Sequence, residues 1–235
     1  MSFEQAKCVV SAIAKFHSLS LCDRSLLTTF KNDALPIEIQ FWQQVKPFAQ
    51  RLKQKYPTLW QHDYGDVAGL CTKETILKMK DPAVGEFVPV LTHGDLWHNN
   101  LLFQKSPNAQ NVSLDKLYAI IDWQFVDSSI CTLDLATFFA ASLSHEITKS
   151  QRTELLKYYY ECLKACMTNN KEVPFSFDDL QRYFRQSLPI GAITSTVLLT
   201  VQTQTLANSL DAHVRDNYIQ RTSAVVQEAI ECLNT

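Results

Sequence analysis

At 235 residues, 46% of them hydrophobic, the chain is long enough to bury a sizeable core and should fold as a globular protein. A formal net charge of -2 and a pI near 6.3 leave no overall basic field, so nucleic acid is excluded as an expected partner. The apolar stretches 135–143 and 188–201 are too short or too interrupted by Ser and Thr to span a bilayer, and no leader-like segment opens the chain; with seven cysteines lacking C-x-x-C or zinc-finger spacing, no membrane insertion and a cytoplasmic location are expected.

Ser2 and Gln5 have capping-box spacing, and Phe3, Ala6, Val10, Ile13 and His17 recur at three and four residues, which predicts an amphipathic helix to about Leu19. Helical periodicity returns over 36–56 and 64–80, interrupted by Pro47 and Pro57, and these read as connecting helices outside a bundle. Between Phe87 and Gln124 the pattern changes. The short apolar runs Leu101–Phe103 and Leu117–Ile121 flank a polar stretch with Pro107, Asn108 and Asn111, as expected of a small hairpin with a long turn. After Asp134 helices are predicted over 133–144, 149–168, 178–187, 189–208 and 216–233, joined by 169–174 and 210–216. Cys162 and Cys166, four apart on one of them, read as apolar thiols rather than metal ligands. Without internal repeats or glycine-rich linkers, the pattern predicts a single lobe over 1–235, mainly α with a small β-hairpin region, with a motif core at 87–136 and a helical remainder at 137–233.

The chemistry-bearing stretch is Val90-Leu-Thr-His-Gly-Asp-Leu-Trp-His-Asn-Asn-Leu-Leu-Phe103, followed by Ala119-Ile-Ile-Asp-Trp-Gln124. Phosphoryl transfer from a nucleotide needs a carboxylate to orient the attacking hydroxyl, an amide oxygen for a metal, and a second carboxylate on that metal. Asp95, Asn100 and Asp122 supply this set in order, with H-x-D-x-x-x-x-N spacing from His93. Taken singly, Asp95 reads as well as a helix cap, Asn100 as a turn residue and Asp122 as a strand-ending acid; their combination carries the case. His93 is expected to pack or hydrogen-bond rather than shuttle protons; Trp97 and His98 sit where a substrate could pass but read equally as core plugs, and Trp123 reads as packing beside the metal strand. Over 81–148 the acids Asp81, Glu86, Asp95, Asp115, Asp122, Asp127, Asp134 and Glu146 face only Lys105 and Lys116, the balance of an acidic cleft suited to magnesium or of a solvated acidic surface.

At these residues the sequence resembles the kinase-like phosphotransferases of the aminoglycoside phosphotransferase and choline kinase type, and its HGDLW-x-N-N and IDWQ wording is most similar to the CHK kinase-like, or ecdysteroid kinase-like, family. The resemblance implies the C-terminal lobe of a protein-kinase-like α+β fold, with ATP and Mg2+ as cofactors and a small-molecule alcohol as substrate. It implies Asp95 as catalytic base, Asn100 and Asp122 as magnesium ligands, and Asp134, in Asp-Leu-Ala, as a structural anchor of the loop. Ala12-Ile-Ala-Lys-Phe-His17 matches that family's helix ending in a Leu-His pattern. Steroid-like alcohols, choline-like amino alcohols and aminoglycoside-like sugars are all substrates among proteins of this type.

A complete kinase also needs a phosphate-covering glycine loop, a strand lysine and a helix glutamate, and none is recognisable before His93. The Gly65 and Gly69 pair has neither the spacing nor a following strand. The N-terminal nucleotide-binding lobe is therefore expected to be absent from this sequence, the ATP pocket incomplete, and full activity dependent on a separate N-terminal lobe or another protein. A truncated form of a full kinase is the leading expectation; a non-catalytic pseudokinase-like binding module is the alternative. A hydrolase using His and Asp is disfavoured, because no G-x-S-x-G nucleophile elbow is present.

Overall fold

The computed structural model describes residues 1–30, 46–62, 64–70, 72–104, 116–144, 147, 149–168, 170–205 and 211–233. In chain order it has helices α1 (Phe3–Cys22), α2 (Leu26–Thr29), α3 (Lys46–Lys55), α4 (Tyr64–Leu70), α5 (Lys73–Lys80) and α6 (Pro82–Gly85). Strand β1 (Pro89–Thr92), a 3-10 turn at His98–Asn100, β2 (Leu101–Phe103), β3 (Leu117–Ile120), a 3-10 turn at Trp123–Phe125 and β4 (Asp127–Ile130) follow. Helices α7 (Thr132–Ser142), α8 (Lys149–Cys166), α9 (Phe177–Thr205) and α10 (Ala212–Leu233) end the described chain. The fold is mainly helical with a small β region, as expected, and no helix among the described residues is long and apolar enough to cross a membrane.

Helix α1 starts where its capping box predicts: the Ser2 hydroxyl accepts from the Gln5 N–H at 3.2 Å, and the Gln5 side chain accepts from the Ser2 N–H at 3.0 Å. Its stripe of Ala6, Val10, Ile13 and His17 is buried. Helix α7 is buried on every side, so it forms the axis on which α9 lies. Gly191 makes that crossing close, because a Cβ there would stand 2.7 Å from the Ala136 carbonyl oxygen.

Several expectations need correction. The helices predicted over 178–187 and 189–208 are one helix, α9, running through Pro189. Proline removes one hydrogen bond, but Leu188, Ile190, Ala192 and Ile193 are buried around it, and tertiary packing overrides the local break. The predicted helix over 64–80 is two, divided before Thr72, whose hydroxyl accepts from the Thr75 N–H at the start of α5. Of the helix predicted over 36–56, residues 36–45 lie outside the described residues, as do 105–115, the expected hairpin turn. The segments read as peripheral contribute Ala49, Leu52, Val67, Leu70, Ile76 and Met79 to the buried interior.

The β region is larger than one hairpin. β2 and β3 pair antiparallel, Leu101 opposite Ile120, and a second antiparallel pair joins β1 to β4, Pro89 opposite Ile130 and Thr92 opposite Asp127. β4, Asp-Ser-Ser-Ile, has no apolar alternation to announce it. Its Ser129 hydroxyl instead donates to the Met79 carbonyl from a fully buried position.

Candidate active site

The β1–β4 pair sets the site, since the loop His93–Trp97 leaves β1 while α7 follows β4, and Asp134 in the first turn of α7 comes to lie beneath the loop. Asp134 is fully buried. One carboxylate oxygen accepts from the His93 N–H (2.7 Å) and pairs with His17 Nε2 (3.1 Å); the other accepts from the Gly94 N–H (2.9 Å). Burial works to raise its pKa, but the hydrogen bond and charge of His17, with His93 assisting, outweigh that and hold the carboxyl below its usual value. His17 Nδ1 in turn lies 2.8 Å from the Tyr159 hydroxyl. Next to this group, burial drives the Cys131 thiol up to about 12 against a hydrogen bond from Tyr159, with the Asp134 charge adding to the rise; the thiol stays protonated and unreactive.

Gly94 turns the loop with φ +81°, and a Cβ there would meet the Phe125 carbonyl oxygen at 2.4 Å. Gly94→Ala is expected to destabilise the protein by about 1–3 kcal/mol through backbone strain, read as a lower denaturant midpoint at unchanged slope. A midpoint equal to that of the wild type would show that the loop does not need this conformation.

His93 Nδ1 accepts from the Asp95 N–H (3.2 Å), which makes the opposite nitrogen the proton carrier; Nε2–H donates to the Ile121 carbonyl at 2.9 Å. The ring thereby ties the loop to the end of β3. Asn100, buried in the 3-10 turn, donates from Nδ2 to both the Asp95 carbonyl (2.8 Å) and the Asp95 carboxylate (2.9 Å). Both partners are acceptors, so the amide orientation is determined and Oδ1 remains an acceptor. Trp97 Nε1–H adds a third donor at 3.3 Å, to the same Asp95 oxygen that Asn100 binds.

The Ile121 N–H donates to the Asn100 carbonyl at 3.0 Å, so Asn100 and Asp122 flank the same end of the β2–β3 pair. Asp122 is exposed and adopts φ 64°, ψ 60°, a left-handed conformation that aspartate tolerates better than most residues. Trp123 after it donates to the Ile120 carbonyl at 2.8 Å and sets its ring edge-on to His93 and Phe16, at 4.6 and 4.7 Å between centroids. The structure thus joins Asp95 and Asn100 directly and brings Asp122 to the neighbouring strand end.

The acidic run over 81–148 does not act as one field. Asp134 and Asp127 are buried and paired, the latter 3.4 Å from Lys80, and Asp81 caps α6. Asp115 and Glu146 lie outside the described residues. The site's acidity rests on Asp95 and Asp122. Among the described residues no group of three or more His, Cys, Asp or Glu side chains could hold a metal, Cys162 and Cys166 included. The role of His17 in holding Asp134 was missed from sequence, although a lone ionisable residue on the buried stripe of α1 was the signal for it.

The family model described as "Uncharacterized oxidoreductase dhs-27" (DUF1679) matches residues 2–234, and the chain belongs to that family. The protein named uncharacterized oxidoreductase dhs-27 from Caenorhabditis elegans is 27% identical over 112 residues, 47% of this chain and 14% of that protein. The matched stretch is therefore a small part of the relative's length.

Proposed function

We propose that this chain is the lobe of a kinase-like phosphotransferase that carries the acceptor hydroxyl and one magnesium site, transferring the γ-phosphoryl group of ATP to an alcohol group of a small molecule. The observation that carries the reading is the double hydrogen bond from Asn100 Nδ2 to Asp95, which holds the carboxylate and leaves the amide oxygen available to a cation. Asp95 is the base that receives or orients the hydroxyl proton. His93 and Asp134 position the loop through the Asp95, His93 and Gly94 amides.

The donor set fits magnesium: an amide oxygen and an exposed carboxylate, both hard ligands, in a number that leaves places for phosphate and water. When bound, magnesium would supply neutralisation of phosphate charge. The oxidoreductase in the relative's name describes a protein of which the match covers 14%. In this chain the glycines at 65, 69, 85, 94 and 191 form no G-x-G-x-x-G, so dinucleotide chemistry has no support in this segment.

Thermal unfolding with Mg-ATP tests the reading. At tenfold excess over Kd the midpoint should rise by roughly 3–6 °C, from about 1.4 kcal/mol of linkage. The rise should vanish without magnesium and in Asp122→Ala. A second reading, a non-catalytic binding module, is favoured by the apolar side chains exposed around Asp122, among them Tyr118, Ile121, Trp123 and Phe125. An absent nucleotide response in the wild type would select it.

A further inference from the structure

Beside His98 there is a cavity of about 440 Å³, within the range of small-molecule sites, lined among others by His98, Phe103, Ser142, Tyr218 and Arg221. Two of its lining residues are joined where the Ser144 N–H donates to the Met1 carbonyl at 3.2 Å. No carboxylate lines it among the described residues. Arg221, on α10, is one cation of its wall, and the Met1 α-amino group, its pKa lowered by burial and then by the Arg221 charge, is another. The guanidinium donates to the Leu143 carbonyl at 3.0 Å and lies over the Tyr218 ring at 4.9 Å, while its enclosed Nε–H finds no acceptor among the described residues. The Ser142 hydroxyl is likewise enclosed and without a partner there.

An enclosed guanidinium ordinarily has a carboxylate or several acceptors to offset its desolvation. Glu228, two turns along α10 and in the wall of a second cavity that Arg221 also borders, is instead engaged by Arg152 at 2.7 Å and Lys149 at 3.5 Å. Burial lowers the Arg221 pKa to about 10 with only Tyr218 opposing, and the group remains a cation at neutral pH. His98 adds no further charge: burial lowers its pKa, the Arg221 and N-terminal charges add to this against the Ala141 hydrogen bond, and the ring stacks on Tyr218 at 6.4 Å.

We propose that this cavity binds a small organic anion, a carboxylate or a phosphate or sulfate ester with an apolar body, whose acidic group pairs with Arg221 and Ser142 and whose body lies against Phe103 and Tyr218. The anion site stands without the phosphotransferase reading. What rests on that reading is one step more: His98 lies three residues after Asp95, so the anion would be the acceptor molecule or part of it.

Calorimetric titration of the full chain with benzoate, phenyl phosphate and the neutral benzamide tests the proposal. One of the two anions should bind at least tenfold more tightly than benzamide, Arg221→Met should erase that preference, and Arg221→Lys should restore part of it. Equal affinity for anions and benzamide, or an unchanged preference in Arg221→Met, would overturn it. Should Arg221→Met fail to fold, phenylglyoxal labelling of the wild type decides: benzoate is expected to protect Arg221 in peptide maps, and equal labelling with and without it counts against the site. Anion preference without any Mg-ATP response overturns the phosphotransferase reading alone, and the reverse pattern overturns the anion site alone.

Discussion

Asp134→Ala is expected to lower unfolding stability by about 3–5 kcal/mol, because it strands His17 and two loop amides in a fully buried position. For a chain of this size the thermal midpoint should fall by roughly 10 °C. Asp134→Asn should lose less, since its one carbonyl oxygen still accepts one of the two amides. The pH dependence separates the charge from the hydrogen bonds. The folded pKa of Asp134 lies below its usual value, so its contribution is fully present above about pH 4, the unfolded carboxyl value, and is lost as pH falls through the folded pKa. The gap in urea stability between wild type and Asp134→Asn should therefore narrow as pH falls below about 4. A gap that stays level down to pH 3 would mean that the ionised carboxylate is not its source.

The same residue illustrates what sequence can and cannot disclose. The helices α1, α8 and α10 follow from apolar residues at three and four spacings, because burial of one helical face leaves that period in the chain. Helix α7 is buried all round and so carries little period; its polar residues pair inside the protein, Thr132 with Ser187 at 2.7 Å and Asp134 with the loop. Such side chains look like surface residues until the partner, forty or more positions away, is known. For the same reason the acidic run, read as a cleft or a solvated surface, contains two carboxylates that belong to the interior. The loop from His93 to Asn100 was legible as a spacing, but the hydrogen bonds that orient the Asn100 amide came from the fold. Arg221 gave no signal at all, because an arginine on an amphipathic helix is ordinarily a solvated one.

Asp95→Asn is the sharper test of chemistry. The substitution keeps the size of the side chain, and the introduced amide oxygen can still accept from Asn100 Nδ2 and Trp97 Nε1, so the loop should keep its shape. What it removes is the capacity to take a proton from an attacking hydroxyl. With a nucleotide-binding lobe supplied alongside the chain, transfer of labelled γ-phosphate from Mg-ATP to an acceptor alcohol should fall by about 10²–10⁴-fold, the usual contribution of a positioned base. The Mg-ATP thermal response should be retained, because Asp122 and the Asn100 oxygen are untouched. Asp122→Ala should show the opposite split, losing the nucleotide response first. If Asp95→Asn transfers phosphate as fast as the wild type, the base lies elsewhere and the clamp by Asn100 is only a fold contact. If it loses the nucleotide response as well, Asp95 is acting through the cation site rather than on the hydroxyl.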